Sequence, residues 1–89
     1  VTSEALRKVD EAEQFLKARG FVQVRVRHHE NVARIEVPSE DLPRFFEGDT
    51  NEAVAEALKA IGYKYVALDL QGYRTGSLNE ALLSIEAGG

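Results

Sequence analysis

At 89 residues the chain has the length of one domain, whose core removes on the order of 60–65% of the unfolded surface from water. A net charge of −4 excludes a global basic field of the kind that collects nucleic acid, so any anion site must be a local cluster on an acidic background. The absence of Cys excludes disulfides, thiolate nucleophiles and cysteine metal ligands; no apolar run is long enough to span a bilayer, so a cytoplasmic location is the expectation.

Thr2 or Ser3 can cap a first helix, with Glu4 at its positive end. Ala5, Val9, Ala12 and Leu16 fall on one stripe, flanked by Leu6 and Phe15. Gly20 is the stop, which predicts a helix over about Ser3 to Arg19. Glu13 lies on the border of the stripe. It reads either as a flanking carboxylate in water or as a group that reaches over the sheet edge toward the arginines.

Next, Val22, Val24 and Val26 alternate with Gln23, Arg25 and Arg27. A polar break from His28 to Asn31 follows, and then Ala33, Ile35 and Val37 alternate with Val32, Arg34 and Glu36. Period-two alternation on both sides of a short break predicts a β-hairpin with one buried face. Keeping both apolar sets on one face sets Val26 opposite Ile35, Val24 opposite Val37, Arg25 opposite Glu36 and Arg27 opposite Arg34. A turn centred on Glu30-Asn31 satisfies this register, with Asn31 the residue that tolerates positive φ. A four-residue loop preserves the same pairing.

The outer face carries the chemistry. Arg25 has Glu36 as its cross-strand partner, whereas Arg27 and Arg34 oppose like with like, which destabilises a sheet. Arginine forks match phosphate or carboxylate in a bidentate way. The face therefore reads as an anion site with Glu36 orienting Arg25, or as a solvated strand face with splayed side chains.

Pro38 to Asp41 predicts a break and a capped turn; Leu42, Phe45 and Phe46 then have helical spacing that Pro43 keeps short. After a loop at Glu47 to Thr50, Ala53, Val54, Ala57, Leu58 and Ile61 form the stripe of a second helix that Gly62 ends. Tyr63 to Leu70 predicts a third strand, with Val66, Leu68 and Leu70 on one face and Tyr65, Ala67 and Asp69 on the other. This strand can pair beside strand one, in an antiparallel order 2-1-3, or beside strand two. Gln71 to Ser77 reads as a loop and Asn79 to Ile85 as a short last helix. The predicted fold class is α+β: a two-layer αββααβ(α) domain spanning 1–89, with helices on one face of a three-stranded, mostly antiparallel sheet. The uncovered face would carry Gln23, Arg25, Arg27, Arg34, Glu36, Tyr65 and Asp69.

Other chemistry is thin. Gly72 to Gly76 has the wrong spacing for a dinucleotide loop and reads as a turn, with Arg74 and Ser77 a weaker candidate for a second anion element. His28 and His29 are neighbours on a strand and point to opposite faces, so they do not chelate one metal together. The element order resembles the type II KH arrangement, but its GXXG clamp is missing and RNA binding is the least favoured reading.

Three segments carry a more specific resemblance: EALRKVDEAEQFLKARGF, VQVRVRHHENVARIEVPSEDLPRF and ALKAIGYKYVALDLQGYRTGSLNEAL. Together they resemble the C-terminal part of the ATP-dependent sacrificial sulfur transferases, the LarE family of the PP-loop superfamily. The resemblance implies a role in nickel-pincer cofactor biosynthesis, in which an N-terminal PP-loop domain binds ATP and adenylates a pyridinium mononucleotide, and a cysteine supplies sulfur. It implies that Arg25 and Arg27 hold the substrate phosphate, with Glu13 and Glu36 as the two acidic residues nearby. It also implies a PP-loop domain or subunit as partner, a pyridinium mononucleotide-type ligand and a homo-oligomer. The chain contains no SGGxDS-like PP-loop and no Cys, so no cofactor is expected in this chain itself and no catalysis from it alone. It reads as an excised C-terminal domain or as a subunit completing an N-terminal partner. A stand-alone oligomerisation module is the alternative.

Overall fold

The computed structural model describes residues 2–72. The first helix, α1, runs Ser3–Ala18, and Thr2 caps it by accepting a hydrogen bond from the Ala5 N–H at 3.1 Å. Its C-terminal end closes on itself, with Gly20 at φ 103° and the Phe21 N–H donating to the Leu16 carbonyl at 3.2 Å. Arg44, far along the chain, donates to the carbonyls of Gly20 and Arg19 at 3.0 and 3.3 Å and lies 4.3 Å over the Phe21 ring. A cation at a helix C-terminus satisfies orphan carbonyls and complements the helix dipole.

That closure changes where the sheet begins. Phe21 turns inward, buried, and stacks on Phe45 with ring centroids 4.5 Å apart. Residues 22 and 23 bend, the first strand starts only at Arg25, and Val22 is left 86% exposed. The apolar alternation therefore overstates the strand by three residues: Val24 and Val26 are in the core, and Phe21 takes the place expected of Val22.

Strand β1 (Arg25–His29) pairs antiparallel with β2 (Val32–Glu36). The pairs Arg25–Glu36, Val26–Ile35 and Arg27–Arg34 are those set by the alternation. His29 opposite Val32 leaves a two-residue turn. Its left-handed residue is Glu30, at φ 52°, rather than Asn31. Asn31 instead offers its carbonyl to the N–H groups of Lys64 and Tyr65, at 2.8 and 3.0 Å, which starts the third strand beside the turn.

A 3₁₀ helix, Ser39–Phe46, follows β2. At three residues per turn Leu42 and Phe45 eclipse each other, so both pack on the core while Phe46 is left 70% exposed. Helix α2 spans Thr50–Ile61 and ends at Gly62, φ 134°. Strand β3, Tyr65–Leu68, lies parallel to β2, in the order β1-β2-β3. Of the two placements open to the third strand, it takes the one beside β2, and the sheet is mixed. Parallel neighbours need a long crossover, and the 3₁₀ helix and α2 supply it. The strand stops two residues short of expectation. Asp69 Oδ1 accepts from the Gln71 N–H, and the Gly72 N–H donates to the Asp69 carbonyl, so Leu70 sits on a turn and is 81% exposed. Gly72 is required there: at φ 76°, a Cβ would lie 2.5 Å from the Val37 carbonyl oxygen.

Ala12 and Leu16 of α1, Val54 and Leu58 of α2, and Val26, Ala33 and Ile35 of the sheet form one buried cluster with Phe21, Phe45 and Tyr63. This is the two-layer α+β arrangement, with the helices gathered on one sheet face. Among the described residues no helix is long and apolar enough to cross a membrane. The last predicted helix, Asn79 to Ile85, lies outside the described residues.

Tyr63 ties the layers together. Its hydroxyl meets His28 Nδ1 at 2.9 Å, and the two rings are T-shaped at 5.4 Å. Burial raises the phenol pKa above its ordinary value of 10.0. A raised folded-state pKa contributes stability that is fully present below the unfolded value and lost as pH rises through the folded one. Urea unfolding across the alkaline range should show this loss above about pH 10, and Tyr63→Phe should flatten it. Separately, Glu30→Gly should raise stability by about 0.5–1 kcal/mol, measured by urea denaturation, because only glycine adopts a left-handed φ without a steric penalty.

Candidate anion-binding sheet face

The sheet face away from the helices is built by period two. The same alternation that buries Val26, Ala33 and Ile35 puts Arg25, Arg27, Arg34 and Glu36 outward. Asp69 joins them at the end of β3, where its N–H donates to the Ile35 carbonyl at 2.9 Å. Among the described residues the face thus holds three guanidinium groups and two carboxylates, one net positive charge on an acidic protein.

Glu36 is the centre of this group: it stands opposite Arg25, as the alternation sets, and its carboxylate also meets Arg27 and Arg34. One carboxylate oxygen accepts from Arg27 Nε at 3.3 Å and the other from Arg34 Nη2 at 3.1 Å. The carboxylate therefore bridges the two arginines that the register sets opposite each other. Its side chain is only 12% exposed, whereas those of Arg27 and Arg34 are 45% and 41% exposed. The arginines shield the acid and keep their outer edges in water. Arg34 Nε is buried without a hydrogen-bond partner among the described residues and lies 3.9 Å from Asp69 Oδ2. Asp69 is held short of it by its own turn, where its other oxygen takes the Gln71 N–H.

Arg25 is exposed and stands at the end of β1. A recess of about 170 Å³ opens beside it, lined by Lys17, Val22, Gln23, Val24 and Arg25 itself. Lys17 lines the same recess, so two cationic side chains border it.

Glu13 does not sit in water. Its carboxylate accepts from the Val26 backbone N–H at 2.9 Å and so covers the outer edge of β1. Of the two readings of Glu13, reach over the sheet edge is the one taken, but its target is the strand's backbone and not an arginine. The signal available in sequence was its place one turn from Leu16, on the flank facing the strand. Tyr63 was also missed as a polar anchor, since it was assigned only to the start of a strand. Arg74 and Ser77 lie outside the described residues. His28 is half-buried against Tyr63, His29 is exposed, and among the described residues no cluster of three His, Cys, Asp or Glu groups can hold a metal ion.

A larger cavity of about 320 Å³, lined by Ala18, Arg19, Phe21, Arg44, Glu47 and Thr50, competes for attention. Its cations are already engaged: Arg44 caps α1, and Arg19 pairs with Asp49 at 3.5 Å. The Asp49 carboxylate and the helix cap account for both cations without a ligand.

Replacing Glu13 by Ala should leave the Val26 N–H without its acceptor at a cost of about 1–3 kcal/mol. Hydrogen exchange should accelerate at Val26 before the rest of β1.

Comparison with known proteins places these residues in context. No family model matches the chain. It is 40% identical over 82 residues, 92% of its length, to an uncharacterized protein of Synechocystis sp.. It is 39% identical over 82 residues to the pyridinium-3,5-bisthiocarboxylic acid mononucleotide synthase of Lactiplantibacillus plantarum, again over 92% of this chain. An uncharacterized protein of Methanocaldococcus jannaschii is 32% identical over 75 residues. The chain spans 31%, 29% and 29% of the length of these curated relatives.

Proposed function

We propose that this chain is a LarE-related C-terminal portion of a sulfur transferase, a domain of nickel-pincer cofactor biosynthesis that binds rather than catalyses. Its outward sheet face receives the phosphate of a pyridinium mononucleotide, held by Arg25 and Arg27. The observation that carries this reading is 39% identity across 92% of the chain to a synthase whose named product is a mononucleotide, and hence bears a phosphate. The exposed arginines on one open face supply the matching chemistry. Adenylation and sulfur donation fall to a PP-loop, ATP-binding domain or subunit that partners this one, since the chain has no Cys of its own.

The proposed site binds through charge-assisted hydrogen bonds, which are short, strong and directional. Titration with nicotinic acid mononucleotide should shift amide signals around Arg25 and Arg27. Arg27→Ala should abolish the shift while leaving the rest of the spectrum in place. An unresponsive wild-type spectrum would remove the site.

A second reading is that the domain assembles with copies of itself. Val22, Phe46 and Leu70 are 86%, 70% and 81% exposed, large apolar side chains that a second copy would cover. Sedimentation separates the readings: a dimer whose stability is indifferent to mononucleotide favours self-association alone.

A further inference from the structure

The bridging of Arg27 and Arg34 by Glu36 leads to a consequence of opposite sign to simple charge counting. We infer that Glu36 is the positioning residue of the anion site and that Arg34 is a further anion ligand, an inference that rests on the anion-binding reading of this face. Each oxygen of Glu36 holds one guanidinium, Arg27 through Nε and Arg34 through Nη2. The register places Arg27 directly opposite Arg34, so without the carboxylate the two would repel and separate.

With the carboxylate in place, their outer nitrogens stay together. Arg27 Nη1 and Nη2 and Arg34 Nη1 make no hydrogen bond among the described residues, and both side chains are more than two-fifths exposed. Two guanidinium groups, each tied to the same carboxylate through one nitrogen, leave three further N–H-bearing nitrogens for a tetrahedral oxyanion. Glu36 is 12% exposed, and each of its oxygens is engaged by one of the two arginines. The ligand class is a phosphate monoester or inorganic phosphate, with Arg34 completing a site whose other ligands are Arg25 and Arg27.

Glu36→Gln makes the face one unit more positive, so attraction alone would tighten phosphate binding. Loss of the bridge instead weakens it by about tenfold, the effect of one charge-assisted hydrogen-bond arrangement. Phosphate titration of the full chain, at fixed pH and ionic strength, reads both the affinity and the side-chain Nε–H signals of Arg27 and Arg34. The expected result for Glu36→Gln is an affinity about tenfold lower with both Nε–H signals moved toward their solvated positions. Arg34→Lys keeps the charge, loses the fork and is expected to weaken phosphate severalfold with Arg27 unshifted; it also serves if Glu36→Gln fails to fold. Equal or tighter binding in Glu36→Gln, or unchanged binding in Arg34→Lys, overturns the inference while leaving the anion face standing. A wild-type chain whose Arg25 and Arg27 signals ignore phosphate overturns both.

Discussion

Two guanidinium groups face each other across the β1–β2 ladder, and one carboxylate makes that arrangement tolerable. The core allows no alternative. Val26, Ala33 and Ile35 must point toward the helices, and a slip of one residue would expose all of them. Burial of that set is worth several kcal/mol at about 1.5–3 kcal/mol per large side chain, more than repulsion between two solvated arginines. Packing therefore wins, and Arg27 and Arg34 are held opposed. Glu36 answers the repulsion by accepting from both. The polar face is thus a product of the apolar one.

The same economy governs the sheet's edges. β2 is central and has both sides satisfied by strands, one antiparallel and one parallel. The outer side of β1 is met by a side chain, Glu13, whose carboxylate takes the Val26 N–H. Its placement depends on α1 lying along that edge, which Arg44 secures from the other end of the helix. The hairpin turn also has two tasks. Glu30 absorbs the left-handed backbone, and that leaves the Asn31 carbonyl turned to receive β3.

Much of this was legible from residue order. Alternating Val and Arg on either side of a polar break specified the pairing to the residue, because side-chain parity excludes every odd slip and the short break selects among the rest. Helix limits followed from Gly20 and Gly62. What escaped was set by contacts between distant segments. Val22 continues the alternation perfectly, yet the Phe21–Leu16 closure and the Phe21–Phe45 stack bend the chain before it. Leu70 fits the third strand's parity, yet Asp69 turns the backbone first. Strand order depends on where a crossover lands, which no local pattern encodes. In the site, residue types and the shared face were readable, whereas Glu36's choice of Arg27 and Arg34 depends on side-chain reach across a diagonal of the sheet.

The functional account stands on an arginine cluster that is locally cationic in an acidic chain. Tungstate, an electron-dense relative of phosphate, gives the most direct view of whether that cluster is a receptor. Anomalous diffraction from crystals of the chain grown with tungstate should place the strongest peak over the outer edges of Arg25, Arg27 and Arg34. A strongest peak in the Arg19–Arg44 cavity, or no peak on the sheet face at saturating tungstate, would contradict the account.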